Sequence, residues 1–434
     1  MAQIEIAMTV SGTTYRISDS DYASPDGNFY RGFVDQSPRI TLGATRGGYV
    51  AVQSGTIILR NEPDNELHPF GGSRFTSLLS SQGPFATEIK YDTNYPMFQG
   101  SVVLEEIKSD QLRFSFQPSS YSTQALSTVT DSAGNTQYNP FAHGVITNRQ
   151  PLIQTGVNAF RNPNLNTATA VTVHEEGTDR FSSDTTTTIT TSGYNGGQVV
   201  VSGTGANGTT VEQFFDYVAN SISLGSTTAN TDKTSTASSR TIHLYETRPR
   251  LLTDLASEVA SAVNHQFYIL PDPSSGVVTL FLVDRAFTPT ATALEDSDIV
   301  STSFKLGFPL EAVVGNWVAI ERKGTQLQEL PQSARAENVA VGKSINVDIL
   351  ADTIAQLSEV TTIINAIRDI EKKPVAMITV SGIKTNYRPG DRFTLNRKDD
   401  LISIDLIVRD ITWDFRQKNT IIKGDATLAE FFTE

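Results

Sequence analysis

Residues 99–117 read QGSVVLEEIKSDQLRFSFQ, and the alternation of polar and apolar side chains in this stretch predicts a β-hairpin. The strands are predicted at Ser101–Ile107 and Gln111–Gln117, with a short polar loop between them. Every second residue of the second strand is apolar, so one face of the hairpin is expected in a core and the other in water. The hairpin therefore indicates an antiparallel sheet.

The same alternation extends from this hairpin towards the N-terminus. Four further stretches have strand character: Gln3–Val10, Thr13–Ile17, Gly55–Arg60 and Glu88–Tyr91. The chain is rich in Ser and Thr, which favour strands and turns over helices. Residues 1–122 are therefore predicted to form an all-β N-terminal domain.

The centre of the chain, residues 123–300, has a mixed pattern. Residues 123–148 are polar and turn-rich and are interpreted as a connector. Apolar residues at helical spacing predict helices over 211–222 and 251–263. Further predictions are strands at 170–174, 186–191 and 198–202, a solvated Ser/Thr-rich loop at 225–240, and a hairpin formed by His265–Leu270 and Val277–Val283.

Residues 301–434 are predicted to contain the longest helix, over 349–372, followed by strands. The strands are expected at Val375–Ser381, Arg392–Arg397, Leu401–Ile411 and Thr420–Leu428. Between the first two, Arg388-Pro389-Gly390-Asp391 fits a type II turn, since Pro stands at the second position and Gly at the third. The chain lacks βαβ alternation, so its fold class is predicted to be mainly β with an α+β middle.

The composition excludes several classes of protein. The 434 residues include no Cys, which rules out disulfides, thiol catalysis and Cys-based zinc sites. The formal net charge of −13 argues against tight binding to a DNA duplex. The alternating start of the chain predicts a strand rather than a signal peptide, and no apolar run is long enough to suggest membrane insertion.

The segment Gly203–Gly208, which reads GTGANG, is the strongest enzyme-like motif. It matches G-x-G-x-x-G between a predicted strand and a predicted helix, as in dinucleotide-binding folds. However, Asp232, at the distance expected of the ribose-binding acid, lies in the Ser/Thr-rich loop without an apolar strand before it. The segment is therefore interpreted as a strand-to-helix turn, with Thr209 and Glu212 as a capping box.

No other residues form a recognisable catalytic, cofactor-binding or metal-binding motif. The five histidines are far apart in the sequence, at positions 68, 143, 174, 243 and 265. Acidic residues cluster at Glu105-Glu106, Asp399-Asp400 and 295–298, but carboxylate pairs alone do not specify a glycosidase. We therefore predict no catalytic, cofactor or metal residues, and the protein is not expected to be an enzyme.

Several stretches, in order, resemble the central hub proteins of bacteriophage tail baseplates and tail tips. They are GTIILRNEPDNEL (55–67), PMFQGSVVLEEIKSDQLRFSFQ (96–117), the central stretch from NPFAHG (139–144) through GGQVVVSGTGANG (196–208), the helix and hairpin of 251–284, and VSGIKTNYRPGDRFTLNRKDDLISIDLIVRDITWDF (380–415). The resemblance implies tube-like antiparallel β-barrels at both ends, the second closing the fold. The Thr-rich segment 181–192 and the loop 225–240 depart from the pattern.

The resemblance also implies a function. Such hubs are homotrimers that join a six-fold tail tube to a three-fold spike or tip. Their partners would be a tail tube or distal tail protein and a spike or tip protein, and DNA would pass through the lumen without specific binding. The expected location is the virion tail, assembled in the host cytoplasm. The alternatives are a six-fold distal tail ring protein and a cell-wall glycan hydrolase or adhesin of the tail tip.

Overall fold

In the computed structural model, the hairpin predicted at residues 99–117 forms two strands of a seven-stranded antiparallel sheet. The structure describes residues 3–44, 48–71, 82–92, 95–117, 128–130, 136–138, 153–154, 159–161, 170–174, 186–190, 198–200, 209–221, 226, 228–235, 241–242, 245–246, 252–300, 304–307, 312–323, 326–335, 344–346, 362–363, 366–367, 369–370, 373–397 and 402–430. All structural statements below concern these residues.

The first part of the chain forms eleven strands, numbered in chain order. They are β1 (Ile4–Val10), β2 (Thr13–Ile17), β3 (Tyr22–Ala23), β4 (Phe29–Tyr30), β5 (Val34–Gln36), β6 (Arg39–Ala44), β7 (Val50–Ser54), β8 (Thr56–Arg60), β9 (Phe85–Tyr91), β10 (Phe98–Ile107) and β11 (Gln111–Gln117). Seven of them form the N-terminal sheet, in the order β2-β1-β9-β10-β11-β8-β5. In β1 every second residue is buried, because successive side chains point to opposite faces of a sheet.

The last part of the chain forms the second large sheet, here called the closing sheet. Its strands are β25 (Ala291–Leu294), β26 (Lys305–Gly307), β30 (Val375–Ser381), β31 (Arg392–Arg397), β32 (Ile402–Asp414) and β33 (Asn419–Glu430), in the order β25-β31-β32-β33-β30-β26. A short 3-10 helix, Asp296–Asp298, follows β25. The strands predicted in this region are therefore confirmed, and β32 and β33 extend further than their sequence patterns indicated.

The N-terminal part of the chain also contributes two strands, β6 and β7, to the closing sheet, which therefore has eight strands. Strand β6 pairs with β32, with Leu42 opposite Ile411 and Arg39 opposite Asp414, and β7 pairs with β6. The hydroxyls of Thr41 and Thr412 are 3.0 Å apart across this pairing. One continuous apolar core contains residues of both sheets. The N-terminal and closing sheets therefore form a single packed unit.

Neither sheet closes into a barrel within the described residues. The N-terminal sheet runs from β2 to β5, and the main path of the closing sheet runs from β25 to β26. The mainly β class is thus confirmed, while the two barrels and the three domain boundaries remain predictions.

The middle of the chain folds as two helices on a small sheet. The helices are α1 (Val211–Ser221) and α2 (Leu252–Ala262), and both confirm the predicted periodicity. The sheet consists of β20 (Asn230–Lys233), β23 (His265–Pro271) and β24 (Val278–Asp284), in the order β20-β24-β23. Apolar residues of α1 and α2 share a second core with one face of the β23–β24 hairpin.

The opposite face of the β23–β24 hairpin belongs to the main core. Tyr268, Leu270, Phe281 and Val283 are buried there together with the two large sheets. This explains why the hairpin is apolar at nearly every position instead of alternating. The hairpin thus lies between the helices and the large sheets.

The chain between β6 and β7 provides a further connection to the middle region. The Gly48 amide donates to the Ser257 carbonyl at 3.1 Å, and the Phe267 amide donates to the Gly48 carbonyl at 2.7 Å. A Cβ at Gly48 would lie 2.2 Å from that of Ala260, so only glycine fits between α2 and the backbone of β23.

The remaining strands form small separate sheets. They are β12 (Thr128–Thr130), β13 (Thr136–Tyr138), β14 (Ile153–Gln154), β15 (Ala159–Arg161), β16 (Ala170–His174), β17 (Thr186–Thr190), β18 (Gln198–Val200), β19 (Thr209–Thr210), β21 (Thr241–Ile242), β22 (Tyr245–Glu246), β27 (Ala312–Lys323), β28 (Gln326–Arg335) and β29 (Ser344–Asn346). Strands β12 and β13 pair within the segment that was interpreted as a connector.

One sequence prediction needs correction, one hairpin was not predicted, and one predicted helix lies mostly outside the described residues. The predicted loop 225–240 contains strand β20, which is held by parallel pairing with β24. The long hairpin β27–β28 was not predicted. Within the predicted long helix 349–372 the structure describes only six residues, all helical, so that helix remains a prediction.

Candidate assembly surfaces

The solvent-facing side of the N-terminal sheet carries a shallow groove. Strands β1, β2, β9 and β10 form its floor, and its volume is 570 Å³. Most of its lining residues are small or carry a hydroxyl group: Ala7, Thr9, Thr14, Pro84, Ala86, Thr87, Gly100 and Ser101, with Glu88 and Gln99. Gln99 donates to Glu88 at 3.0 Å, so the charged residue of the groove is already bound within the sheet. Glu88, the charged residue among those that line this groove, is only partly buried.

The surface of the N-terminal sheet is charged at the end of the β10–β11 hairpin. A one-residue bulge between Leu104 and Glu106 shifts the register of β10. Glu105, at the bulge, forms an ion pair with Arg113 at 3.2 Å, and both side chains are about half exposed. Glu106 is similarly paired with Lys108 at 3.3 Å. These exposed pairs keep the hairpin end soluble and contribute little to stability.

The closing sheet also has a one-residue bulge, but its charges are buried more deeply. The bulge lies between Val408 and Asp410 in β32. The Arg409 guanidinium there binds the Asp425 carboxylate of β33 through two contacts, at 2.7 and 2.6 Å. The Asp425 side chain is only 8% exposed. Such a two-point pair fixes the geometry of both strands.

A second ion pair connects β31 and β32. Asp405 accepts hydrogen bonds from Arg392 and from the Thr394 hydroxyl. Burial opposes ionisation of Asp405, but these hydrogen bonds and the positive charge of Arg392 outweigh it, so the pKa of the carboxyl is lowered. Asp405 is therefore stabilised in its charged form.

The predicted turn Arg388–Asp391 joins the closing sheet to the middle region. Gly390 has a φ of +84°, and the Asp391 amide donates to the Arg388 carbonyl at 3.1 Å, which confirms the type II turn. The Lys233 ammonium of β20 contacts the Asp391 carboxylate at 2.6 Å. A Cβ at Gly390 would lie 2.7 Å from Val283, so the turn packs directly against β24.

These surfaces belong to a fold that is also found in solved structures. The tail protein from Neisseria meningitidis MC58 superposes with a TM-score of 0.50 at 11% sequence identity, over 97% of this chain and 96% of that chain. The chain has the fold of a tail protein. Because the identity is low, this likeness concerns the fold alone, and it confirms the resemblance to phage tail proteins at that level.

Two further tail proteins match over nearly the whole chain. The 43 kDa tail protein of prophage MuSo2 from Shewanella oneidensis gives a TM-score of 0.49 at 10% identity, covering 98% of each chain. The prophage tail protein gp18 from Listeria monocytogenes EGD-e gives 0.42 at 8% identity, covering 97% of this chain and 94% of that chain. No protein-family model and no curated protein sequence matches the chain.

The G-x-G-x-x-G segment noted in the sequence, residues 203–208, lies outside the described residues. Its flanks are described: β18 pairs with β15, and α1 begins at Val211 as predicted. Glu212 contacts the Thr231 hydroxyl at 3.5 Å. Asp232 does lie in a strand, β20, but that strand pairs with β24 and not with β18. The described residues therefore do not form the βαβ unit that a dinucleotide site requires.

The histidines and carboxylates noted in the sequence are dispersed over the tail-protein fold. His68 is buried near Phe33, His174 lies in β16, and His265 contacts the Val263 carbonyl at 2.8 Å. His143, His243 and Asp399-Asp400 lie outside the described residues. Within the described part of the chain, no group of three metal-ligating side chains could hold an ion. None of the described helices is long and apolar enough to cross a membrane.

Apolar side chains that remain exposed mark further surfaces of the tail-protein fold. The large ones are Phe29, Leu67, Tyr95, Ile107, Val277 and Val300. Tyr95 packs over Gly276 at the tip of the β23–β24 hairpin, next to Val277. Single exposed apolar residues are ordinary on a protein surface. The sequence did not indicate these residues, because their exposure depends on the tertiary fold.

Proposed function

We propose that this chain is a structural subunit of a phage tail, and that within the tail it acts as a hub in the baseplate or tail tip. The observation that carries the proposal is the tail-protein fold, which extends over 97% of the chain. The proposed location is the virion tail, with assembly in the host cytoplasm.

The architecture supports a trimeric hub in particular. Each chain contains two large β-sheets, each with a one-residue bulge in a central hairpin, and one apolar core contains residues of both sheets. If each sheet takes the place of one tube subunit, three chains supply six positions. A homotrimer could then meet a six-fold tube on one side and a three-fold spike or tip on the other.

The charge of the chain is compatible with a DNA path through the assembly. The formal net charge is −13, and a negatively charged lumen would repel the phosphate backbone. DNA would then pass without being held, and no base-specific contact is needed.

Mass photometry of the purified chain tests this proposal. We expect particles of three times the 47.2 kDa mass of one chain, at nanomolar to micromolar concentration. Six copies would indicate instead a distal tail ring. A stable monomer that remains monomeric when a tail tube protein is added would contradict both assemblies.

An assay on purified peptidoglycan separates the structural proposal from the glycan hydrolase. We expect no release of soluble sugar at any pH between 5 and 8. If soluble sugar is released, and a single Asp→Asn or Glu→Gln substitution abolishes that release, the protein is an enzyme and the purely structural role is wrong.

A further inference from the structure

The turn Arg388–Asp391 contains a buried charge whose hydrogen bonds are incomplete. Arg388 is 3% exposed, and its guanidinium lies 5.6 Å from the ring centroid of Trp413. The Nη1 atom donates to the Thr385 and Tyr387 carbonyls. Neither Nε nor Nη2 has a hydrogen-bond partner. A buried guanidinium without acceptors for these atoms is costly.

Tyr268 of β23 shares this environment. Its side chain is fully buried, and its ring stacks on Phe281 with 4.9 Å between centroids. Its hydroxyl has no hydrogen-bond partner either. Burial raises the pKa of Tyr268, and the Arg388 charge opposes that rise, so the two groups interact electrostatically.

The carboxylates nearest to this pair are engaged elsewhere. Asp391 binds the Lys233 ammonium at 2.6 Å and accepts from the Arg388 backbone amide at 2.6 Å. Asp272, which also acts on both groups electrostatically, accepts from the backbone amides of Ser274 and Ser275 at 2.8 and 3.1 Å. No carboxylate oxygen hydrogen-bonds the Arg388 side chain.

The unsatisfied groups are donors: the Nε and Nη2 protons of Arg388 and the hydroxyl of Tyr268. A water molecule would accept from two of them, but its own two protons would then need acceptors, and the tyrosine oxygen is the one acceptor among these groups. An anion accepts several hydrogen bonds and needs no acceptor in return. The positive charges of Lys233 and Arg388 lie near the carboxylates of Asp391 and Asp272, so charge alone does not select the ligand. The excess of donors favours an anion over a water.

We propose that a small monovalent anion binds between the Arg388 guanidinium and the Tyr268 hydroxyl. The bound anion would connect the turn of the closing sheet to strand β23 of the middle region. It would thereby fix the orientation of the helix-and-hairpin unit on the large sheets. The site does not depend on the proposed function in a tail.

Thermal unfolding of the full chain, with chloride as the probe, tests the site. The melting temperature is measured in sodium chloride and in sodium gluconate at equal ionic strength, with gluconate as the bulky reference anion. We expect chloride to raise it by about 2 °C or more in the unaltered chain. In Tyr268→Phe at least half of this rise should be lost.

The matched control is Tyr22→Phe, which also removes one tyrosine hydroxyl. Tyr22 lies in β3, and its hydroxyl donates to Glu5 of β1 at 2.6 Å. In the Tyr22→Phe variant, chloride should raise the melting temperature as much as it does in the unaltered chain. Equal chloride effects in Tyr268→Phe and in the unaltered chain would overturn the proposal, because the effect would then be a general one of the salt.

Crystals grown in sodium bromide provide the second test and need no variant. An anomalous peak within hydrogen-bonding distance of both Arg388 and Tyr268 is the expected result. Density for water alone at that position, without an anomalous signal, would overturn the proposal.

Discussion

The N-terminal sheet and the closing sheet have the same type of construction but place their charges differently. Each contains a long antiparallel hairpin with one bulged residue, Glu105 in the first and Arg409 in the second. Glu105 pairs with Arg113 at the surface, with side chains 50% and 45% exposed. Arg409 pairs with Asp425, with side chains 22% and 8% exposed. The ion pair at the bulge is therefore more deeply buried in the closing sheet than in the N-terminal sheet.

The core beside the N-terminal sheet contains a cluster of aromatic rings. The rings of Phe70, Phe85 and Phe114 contact one another, with centroids 5.3 to 6.1 Å apart. Aromatic groups in such contact add to the stabilisation from burial alone. Two sheets that share one apolar core thus differ in how deeply they bury their charged groups.

The largest expected effect comes from truncating a core residue in either sheet. Trp413 and Phe114 are both fully buried in the shared core. Changing either to alanine should lower the free energy of unfolding by about 3–5 kcal/mol, because a large cavity remains. Since one core serves both sheets, unfolding followed by circular dichroism should show one common transition for them. Separate transitions for the two sheets would contradict a single packed unit.

Removing the partly buried ion pair of the closing sheet should have the next largest effect. Arg409→Met leaves the Asp425 carboxylate without its two-point partner, and we expect a loss of about 2 kcal/mol in urea unfolding. The matched control, Arg113→Met, breaks the exposed pair with Glu105 and should cost less than about 0.5 kcal/mol. Equal losses would show that burial does not distinguish the two sheets.

Acid should weaken the closing sheet through Asp405. The pKa of this carboxyl is lower in the folded chain than in the unfolded chain, where it is about 3.9. Its contribution is therefore complete above the unfolded pKa and is lost as the pH falls through the folded pKa. Asp405→Asn should flatten the decline of the melting temperature below about pH 4. Glu106→Gln, at the exposed end of the N-terminal sheet, should leave that decline unchanged.

The smallest expected effect concerns the hydroxyl contact between strands β6 and β32 of the closing sheet. Thr412→Val removes the contact with Thr41 at a buried position, and we expect a loss of about 1 kcal/mol. Thr9→Val removes a contact of the same length with Thr14 at the surface of the N-terminal sheet. That control should change stability by less than about 0.5 kcal/mol, as is usual for surface positions. A larger loss in the control would contradict the assigned role of burial.

Much of this fold could be predicted from local sequence patterns. Alternation identified β1, β10 and β11, helical spacing identified α1 and α2, and the Pro-Gly pair identified the turn at Arg388–Asp391. Each of these features depends on residues that are close in sequence. The same is true of the hairpin β27–β28, which was not predicted although its two strands are separated by only two residues, Gly324-Thr325.

Other features depend on contacts between distant residues. Thr41 and Thr412 are 371 positions apart, so no local pattern indicates that β6 pairs with β32. Strand β20 has the polar sequence NTDK, and its extended form is fixed by pairing with β24. The burial of Arg388 likewise follows from packing of the turn against the middle region. The candidate surfaces could not be predicted for the same reason.

Single-particle electron microscopy of the purified chain tests the central claim most directly. We expect a three-fold particle with a central opening, in which the N-terminal and closing sheets of three chains alternate to give six similar sheets around the axis. A six-fold ring in which each chain contributes only one of its two sheets would contradict a trimeric hub, and so would a monomer.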